Sequence, residues 1–267
     1  MLNVADKNKH STGKLCNGLK FLSYFSVSYN SVSDSLVIIP TFNEKENIEN
    51  ILRKVFSLNF TFHVLVIDDG SPDGTAQIVK NLQSEFNGKL FIEERTGKQG
   101  LGTAYIHGFR WALAKNYEYI FEMDADFSHN PEDLIRLRSA VEKNGGVSVG
   151  SRYCYQGNVK NWPFMRYLMS YFASVYVRIV LGINVMDSTA GFICYRKKVL
   201  ETIDLNKIQF VGYAFQIEMK YTAILHGFKV KEVPITFIDR QYGESKMSMK
   251  IFEEALWGVL KMRRKKI

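Results

Sequence analysis

The sequence predicts an α/β fold in which a mostly parallel, doubly wound sheet is covered by helices on both faces. Short aliphatic runs alternate with amphipathic segments between residues 36 and 153. The aliphatic runs are apolar along their whole length, which is typical of parallel strands that are buried on both faces. The 267 residues are 46% hydrophobic and 23% charged, with a mean hydropathy of -0.13, so disordered and collagen-like classes are excluded.

Each strand is predicted from an apolar run that ends at turn-forming residues. The first run, LVIIP, and the second, FHVLVIDD, carry the strongest signals because β-branched and aliphatic residues follow one another without interruption. The predicted strands are 36–40, 62–69, 89–94, 118–124 and 146–153.

Each helix is predicted from apolar residues at helical spacing and from the residues that open it. Asn43 and Glu44 open the first helix, and the turn SPDG precedes the second. Asn130 and Pro131 occupy N-cap and first-turn positions of the fourth. The first predicted helix begins at Asn43. The next three run from Thr75 to about Phe86, from about Leu101 to Lys115, and from Asn130 to about Lys143.

Charge and cysteine content narrow the class of protein further. The formal net charge is +8, which favours an anionic partner: a phosphate-bearing substrate, a nucleic acid or a membrane surface. Three cysteines without a C-x-x-C pair predict neither a disulfide framework nor a thiolate zinc site. We therefore expect a cytosolic or cytosol-facing setting.

The segment 167–186 is long enough to cross a bilayer, but Arg178 lies near its middle. A central arginine costs roughly 2.5 to 3.5 kcal/mol on insertion scales, so no transmembrane helix is predicted. Two interpretations of this amphipathic helix stay open: its apolar face packs on the domain core, or it lies in a membrane interface. The apolar face holds Met165, Leu168, Met169, Phe172, Val175, Tyr176, Ile179 and Val180, and the polar face holds Arg166, Ser170, Ser174 and Arg178.

Three segments are expected along the chain. Residues 1–35 form an N-terminal extension that is poorly ordered and has no signal-peptide pattern. Residues 36–247 form the main α/β domain, and 248–267 form a basic amphipathic helix. The apolar stripe of that helix holds Ile251, Phe252, Leu256, Val259 and Leu260, and its basic end holds Arg263, Arg264, Lys265 and Lys266.

Carboxylates follow three of the predicted strands, at the end where parallel sheets bind ligands. Glu44 follows the first strand, Asp68 and Asp69 end the second, and Asp124 and Asp126 lie at the end of the fourth. Two carboxylates one residue apart can turn toward one hard cation such as Mg²⁺ or Mn²⁺ that carries substrate phosphates. For Asp-Ala-Asp alone the alternative is an Asx turn that leads into the next helix.

Seven motifs occur in an order and spacing that resemble a known family. They are PTFNE, VIDDGSPDGT, GKQGLGTAYIHGF, MDADFSHNP, VGSRY, DSTAGF and QYGESKMS. Together they are similar to the dolichyl-phosphate (polyprenyl-phosphate) mannosyltransferases, inverting enzymes of glycosyltransferase family 2 with a GT-A nucleotide-sugar-binding fold. The resemblance covers about residues 36–260.

The resemblance implies that the donor is GDP-mannose and that the first two strand ends cradle its guanosine. Phe42 stands where the family usually has tyrosine, so ring stacking is kept and the hydroxyl is lost. The residues implied for the nucleoside are Pro40, Phe42, Glu44, Ile67 and Asp69.

The resemblance also implies a metal site and a set of phosphate-binding cations. Asp124 and Asp126 would hold Mg²⁺ or Mn²⁺, with Ala125 beside the donor and Ser128 where some relatives have glutamine. Arg152, Arg240 and Lys246 match the positions that grip donor and acceptor phosphates, the alternative for each being a solvated surface cation. Asp126 and Arg152 are the residues implied for catalysis.

In the family's reaction the acceptor phosphate of dolichyl or polyprenyl phosphate attacks the anomeric carbon as GDP leaves. The phosphate is already an anion near neutral pH, so no general base is required. The protein must instead compensate charge, because two polyanions meet at one site.

Three further features have two interpretations each. His129 is a ligand or base, or it belongs to the start of a helix. The segment DSTAGF at 187–192 shapes an acceptor pocket or is an ordinary turn before a strand. The loop 240–246 closes over the site as a lid, or it is a surface hairpin with solvated charges.

Two functional alternatives remain from the sequence. One is a sister transferase that uses UDP-glucose or UDP-N-acetylglucosamine on a polyprenyl phosphate. The other is a nucleic-acid-binding module, which is disfavoured because neither an aromatic RNA-binding pattern nor a recognition helix is found. Membrane recruitment is expected through interfacial helices or an anchoring partner subunit, peripherally on the cytosolic face of the endoplasmic reticulum or of a bacterial plasma membrane.

Overall fold

The computed structural model describes residues 33–239 and 249–264, and it confirms the predicted α/β class. The strands are β1 (Ser35–Thr41), β2 (His63–Asp68), β3 (Leu90–Glu94), β4 (Tyr119–Glu122), β5 (Val147–Ser151), β6 (Asn158–Lys160), β7 (Ile193–Arg196), β8 (Val230–Pro234) and β9 (Thr236–Ile238). The helices are α1 (Ile48–Phe56), α2 (Thr75–Leu82), α3 (Leu101–Ala114), α4 (Asp133–Asn144), α5 (Phe164–Leu181), α6 (Lys197–Thr202), α7 (Tyr213–Leu225) and α8 (Met249–Met262). A short 3-10 helix spans Leu205–Lys207.

The central sheet has seven strands in the order β3-β2-β1-β4-β7-β5-β8. Within the described residues, β7 is the only strand of this sheet that is antiparallel to its neighbours, β4 and β5. The parallel register pairs Thr41 with Asp68 and Ile38 with Glu122, so the ends of β1, β2 and β4 lie side by side. Strand order reverses between β1 and β4, which is the position where doubly wound sheets bind ligands.

Successive residues of β1 face opposite sides of the sheet, and both sides are buried. Val37 and Ile39 pack in a cluster that α1 and α4 cover, whereas Leu36 and Ile38 pack in a cluster under α3 and α7. All four side chains are fully buried. Burial of each aliphatic side chain contributes roughly 1.5 to 3 kcal/mol, so these two layers fix the frame that carries the site.

Several helix bounds differ from the sequence prediction. The first helix begins at Ile48 because Asn43 takes a positive φ of 58° and a turn precedes the helix. The second ends at Leu82, four residues before the predicted Phe86, and residues 83–88 form turns. The fourth begins at Asp133, and Asn130 accepts the Glu132 N–H within the preceding turn, so it does not cap the helix itself.

A two-stranded parallel sheet of β6 and β9 was not predicted from the sequence. The strand β8 pairs with β5 as far as Pro234, where the chain leaves β5. The N–H of Asn158 then bonds to the carbonyl of Ile235 at 2.9 Å, and β9 continues along β6. This small sheet carries Phe237 and Asp239 toward the ligand-binding edge.

The helix α5 packs on the domain, but only part of its predicted apolar face turns inward: Tyr176 and Val180 pack with α7 and α8, whereas other members are exposed. Ser174 is fully buried, and Val177 and Leu181 pack with α7 and α8 in a third cluster. Ile179 is instead 75% exposed and Phe172 60% exposed. The serine-bearing side thus faces the protein, and a ridge of large apolar side chains faces outward. The ridge consists of Phe164, Met165, Phe172 and Ile179.

The helix α8 divides its apolar residues between two sides. Val259 is buried against α5 and α7, whereas Leu260 and Trp257 are exposed, so the predicted stripe does not face one environment. Arg263 and Arg264 are exposed. Across 33–239 and 249–264, no helix combines the length and the apolar character that a membrane span requires.

Candidate active site

A cavity of about 380 Å³ opens at the carboxyl edge of the sheet, between the end of β4, α5, α7 and the small sheet. Its lining combines charged and amide side chains from five separate parts of the chain with an apolar wall. The charged and amide side chains are Asp124, Asp126, Arg152, Arg166, Gln216 and Asp239. The apolar wall includes Met169, Ala173, Val177, Ile217 and Leu256.

The two predicted metal-binding carboxylates both line this cavity. The Asp124 side chain is 42% exposed, whereas Asp126 is buried. The Ser128 N–H donates to Asp126 Oδ1 at 3.0 Å, which is the Asx turn considered as the alternative. The turn and a ligand role are compatible, because a carboxylate has a second oxygen and further lone pairs.

The donor set fits a hard divalent cation that a substrate shares. Within the described ranges no group of three or more His, Cys, Asp or Glu side chains could hold a metal ion, so Asp124 and Asp126 act as a pair. Mg²⁺ sites that carry substrate phosphates commonly use one or two protein carboxylates and complete the shell with phosphate oxygens and water.

His129 is buried beside this pair, and its contacts decide between the two interpretations given for it from the sequence. Its Nδ1 accepts the N–H of Asp124 at 3.2 Å, and its ring stacks on Phe192 with centroids 4.7 Å apart. Burial lowers the pKa of His129 to about 4, although the charge of Asp126 opposes the shift. The imidazole is therefore neutral near pH 7 and supports the main chain of Asp124.

The five residues implied for the nucleoside lie at the ends of β1 and β2 or in the turn after β1, and none of them is among the residues that line the cavity. Ile67 is fully buried in the core, so only its main chain could meet a ligand. The Phe42 ring is half-buried, and Lys98 Nζ lies 5.3 Å from its centroid. Glu44 holds the start of α1, because its side chain accepts from Asn47 Nδ2 at 3.1 Å.

Asp69 is engaged by a cation that the sequence did not single out. Arg95 Nε donates to Asp69 Oδ1 at 2.7 Å, and both side chains are more than nine-tenths buried. Arg95 Nη1 also donates to Thr103 Oγ1 at 2.9 Å, which joins the pair to α3. The sequence signal that could have identified Arg95 was its position directly after the acidic end of β3.

Arg152 lines the cavity and is held from behind by a buried carboxylate. Its Nε and Nη2 donate to the two oxygens of Asp187 at 2.7 Å each, and Nη2 also donates to Thr189 at 2.9 Å. Burial alone would raise the pKa of Asp187, but the charge and hydrogen bonds of Arg152 hold it below its usual value. Glu232 fixes the same turn by accepting the Asp187 N–H at 2.9 Å.

Arg166 is a second cavity cation, and the sequence placed it only on the polar side of a helix. Its Nη1 bonds to both oxygens of Asp239, at 2.9 and 2.8 Å. Trp162 lies under the guanidinium, with 4.2 Å between Arg166 Cζ and the ring centroid. Arg152 Cζ lies 5.4 Å from the same ring, so one indole contacts both cations.

Among the segments with open interpretations, 187–192 contributes Thr189, Ala190 and Gly191 to the cavity. Arg240, Lys246 and the proposed lid 240–246 lie outside the described residues, as do Lys265 and Lys266 and the extension up to residue 32. The side chains of Ile251 and Phe252 are likewise not described.

A carboxylate pair at the switch point of a doubly wound sheet, with cations across the cavity, defines a glycosyltransferase of the GT-A fold. The chain belongs to glycosyltransferase family 2, since residues 36–204 match the domain described as glycosyl transferase family 2. The family predicted from the seven sequence motifs is thereby confirmed.

Three curated relatives support this assignment. The chain is 46% identical over 230 residues to polyprenol monophosphomannose synthase of Mycolicibacterium smegmatis, covering 84% of this chain and 87% of the relative. It is 44% identical over 229 residues to undecaprenyl-phosphate mannosyltransferase of Micrococcus luteus, covering 84% and 93%. It is 38% identical over 223 residues to dolichol-phosphate mannosyltransferase of Pyrococcus furiosus, covering 81% and 60%.

Two solved structures share the fold at low sequence identity. A mannosyltransferase from Pyrobaculum calidifontis in complex with GDP-Man and Mn²⁺ aligns with a TM-score of 0.53 and 15% identity, covering 86% of this chain and 69% of that one. Glucosyl-3-phosphoglycerate synthase from Mycobacterium tuberculosis, with Mn²⁺ and UDP, aligns with a TM-score of 0.58 and 15% identity, covering 85% and 78%.

Proposed function

We propose that this protein transfers mannose from GDP-mannose to the phosphate of a polyprenyl or dolichyl phosphate, with inversion at the anomeric carbon. One observation carries the proposal: the carboxylates Asp124 and Asp126 and the cations Arg152 and Arg166 open onto the same apolar-walled cavity. Such a cavity suits a diphosphate donor on one side and a lipid phosphate on the other. The names of the three relatives support mannosyl transfer to a polyprenyl or dolichyl phosphate, and one mannosyltransferase of the same fold was solved in complex with GDP-Man.

Asp124 and Asp126 would hold Mg²⁺ or Mn²⁺, which when bound offsets the charge of the departing diphosphate. His129 and Ser128 prepare this edge, because each fixes the main chain or carboxylate of one metal-binding residue. The nucleoside would lie over the ends of β1 and β2, near Phe42 and the buried pair of Asp69 and Arg95.

Arg152 and Arg166 would hold the acceptor phosphate. Asp187 and Thr189 accept from the Nε and Nη2 groups of Arg152, and Asp239 accepts from Nη1 of Arg166. Nη1 of Arg152 and Nε and Nη2 of Arg166 would therefore be the groups that bind the phosphate. Because the phosphate is an anion before it attacks, the site needs no general base. His129 is consistent with a site that has no general base. Its pKa of about 4, and the hydrogen bond that its Nδ1 accepts from the Asp124 N–H, make it unsuited to accept a proton.

The apolar wall would receive the first isoprene units of the lipid. Met169, Val177 and Ile217 lie on α5 and α7, directly beyond the arginines. A chain that enters between these helices comes from the side of the molecule where α5 exposes its apolar ridge. The ridge and the exposed Trp257 and Leu260 of α8 favour peripheral binding at a lipid surface.

We further propose that this surface is the cytosolic face of a membrane, the endoplasmic reticulum in a eukaryote or the plasma membrane in a bacterium. Exposed cations near the end of α8, Arg263 and Arg264, would add attraction to anionic lipids. An anchoring partner subunit could act on the same face. Whether the purified protein binds vesicles without any partner distinguishes these two modes of recruitment.

The proposal is tested by incubating the purified protein with GDP-[¹⁴C]mannose, a divalent cation and polyprenyl phosphate in detergent. We expect label in the organic phase as a mannosyl phospholipid, and none from UDP-glucose or UDP-N-acetylglucosamine. Transfer from a UDP-sugar and not from GDP-mannose would show that the donor is a UDP-sugar. Retention of RNA without turnover of any nucleotide sugar would overturn the enzyme assignment.

A further inference from the structure

A buried polar cluster lies beneath the cavity, on the sheet face that α3 and α7 cover. Its members are Glu122 on β4 and Gln216 and Lys220 on α7, and each residue is 3% exposed or less. Gln216 and Lys220 are four residues apart, so they project from the same side of the helix. The transfer chemistry proposed above uses none of the three directly.

These residues are costly to bury. Burial lowers the pKa of Lys220 to about 8, and the charges of Glu122 and Asp187 oppose this shift. Burial likewise raises the pKa of Glu122 to about 8, against the hydrogen bond from Gln216 and the charge of Lys220. An apolar residue at position 220 would avoid this cost, so the contacts of the ammonium group are the feature to explain.

Those contacts lead to the segment that holds Arg152. Lys220 Nζ donates to the carbonyl of Ala190 at 2.7 Å. Gln216 Nε2 donates to Glu122 Oε2, and a Cβ added to Gly191 would lie 3.4 Å from the same Nε2 atom. The side chains of α7 therefore bridge β4 and residues 190–191.

Both ends of this bridge continue directly into the site. Two residues after Glu122 the chain reaches Asp124. On the other side, Asp187 and Thr189 hold the Nε and Nη2 groups of Arg152, one residue before the anchored Ala190. The spacing between the metal-binding edge and the phosphate-binding arginine thus depends on the cluster.

We propose that Lys220, with Gln216 and Glu122, is a positioning residue that holds the 187–191 segment so that Arg152 faces the acceptor phosphate. The kinetic effect expected from this inference rests on the proposed transfer to a lipid phosphate. Its structural part, that Lys220 immobilises Ala190, is independent of the substrate.

The kinetic test compares Lys220→Met with the wild type. The KM for polyprenyl phosphate should rise about tenfold, while the KM for GDP-mannose should stay within about twofold. The variant leaves the buried Glu122 carboxyl and the Ala190 carbonyl without the ammonium group, so the melting temperature should fall, and the KM values are measured at temperatures where the variant is folded. Lys220→Arg keeps a cationic donor and should recover part of the acceptor affinity.

The structural test is hydrogen exchange of the peptide that contains 187–191. Lys220→Met should speed exchange there more than in β1 or α4, whether or not any sugar is transferred. Met219→Ala is the matched control, because it removes buried volume from the same helix but no hydrogen bond. It should lower the melting temperature and leave the acceptor KM unchanged. Gln216→Met serves as a second variant and should shift KM and exchange in the same direction as Lys220→Met.

Unchanged exchange of 187–191 in both Lys220→Met and Gln216→Met would overturn the positioning role. An equal rise of the acceptor KM in Met219→Ala would do the same, because it would assign the effect to general loosening of α7. A wild-type protein that transfers no mannose would contradict the proposed function instead, and the exchange measurement would still decide the role of Lys220.

Discussion

Single side chains at the carboxyl edge of the sheet have two distinct tasks. Asp124 and Asp126 face the cavity, whereas Asp68 and Asp187 are fully buried or nearly so and act within the protein. Asp68 accepts from Thr41 Oγ1 at 2.8 Å and from Ser71 Oγ at 2.6 Å, and so closes the turn after β2. Neighbouring carboxylates in one sequence motif can therefore differ in function.

At this scale the metal-binding pair gives the first prediction. Asp126→Asn keeps the side-chain shape and an acceptor for the Ser128 N–H, so the fold should persist. Loss of the charge should lower transfer by about 100-fold or more, on the order of 2.7 kcal/mol in the barrier. Residual transfer should also lose its dependence on added Mg²⁺ or Mn²⁺. Full activity of the wild type in excess chelator would contradict a metal at this pair.

The second residue-scale prediction concerns Asp69 and its buried partner. Asp69→Ala should raise the KM for the donor, as the sequence suggested, and should also destabilise the protein because it leaves Arg95 buried without its counter-charge. Loss of one partner of a buried pair costs about 3 to 5 kcal/mol. Thr103→Val removes only a neutral contact to the same guanidinium and should cost about 1 kcal/mol. Thermal unfolding compares the two, and equal melting temperatures would refute a structural role for the pair.

At the scale of elements, α5 carries both the exposed apolar ridge and part of the cavity wall. Its inward side carries Ser174, Val177 and Leu181, and its N-terminal part brings Arg166 to the site. Helical spacing alone identified two sides of α5 but could not decide which side packs inward, because apolar residues occur on both. Only the packing of α7 and α8 against the serine-bearing side settles the orientation.

The third prediction follows from the exposed ridge of α5. Ile179→Asp should leave the melting temperature unchanged, since the residue is 75% exposed, and should reduce binding to anionic liposomes by about tenfold or more. Ile135→Asp on α4 is the matched control, because Ile135 is also exposed but lies on another helix. Flotation assays at low and high salt make the comparison. Equal loss of binding in both variants would argue against a specific lipid-facing ridge.

The fourth prediction concerns pH and the first residue of β2. His63 Nδ1 lies 2.6 Å from the Tyr117 hydroxyl, and burial, helped by Lys89, lowers the pKa of His63 below 6.5. The unfolded chain therefore binds a proton that the folded chain does not. The stabilising contribution is complete above the unfolded pKa and is lost as pH falls below it.

Chemical denaturation at a series of pH values between about 7 and 5 tests this contribution. His63→Phe should flatten the dependence of the free energy of unfolding on pH, whereas Tyr117→Phe should preserve it because the imidazole still titrates. An unchanged slope in His63→Phe would assign the pH dependence to other groups.

The strands and the ends that carry chemistry were predictable because their signals are local. Apolar runs define β1 and β2, and the carboxylates that follow them need no tertiary information. The three-residue strands β6 and β9 are too short for any periodicity, and their pairing joins segments far apart in the chain. Arg95 and Arg166 were missed for a related reason. Each gains its role from a carboxylate distant in sequence, Asp69 and Asp239, and spacing cannot reveal such a pair.

At the scale of the whole molecule, the fold brings two polyanionic substrates together at one edge of one sheet. The net charge of +8 favours both anions at long range, and in the proposed reaction the cavity cations Arg152 and Arg166 would compensate charge where the bond forms. The apolar ridge of α5 and the wall of the cavity meet on the same helix, so a lipid phosphate could reach the site from a bilayer. An acceptor that is already ionised suits this arrangement, since His129 is a weak base with a pKa of about 4 and its Nδ1 accepts the Asp124 N–H.

The most direct test of this account compares two acceptors that differ only in the phosphate. Initial rates of mannose transfer from GDP-mannose are measured with polyprenyl phosphate and with the free polyprenol of the same chain length, at equal concentrations in the same detergent. The account predicts transfer to the phosphate and at least about 1,000-fold less to the alcohol, because arginines hold the anion and no base activates a hydroxyl. Comparable rates with both acceptors would contradict it.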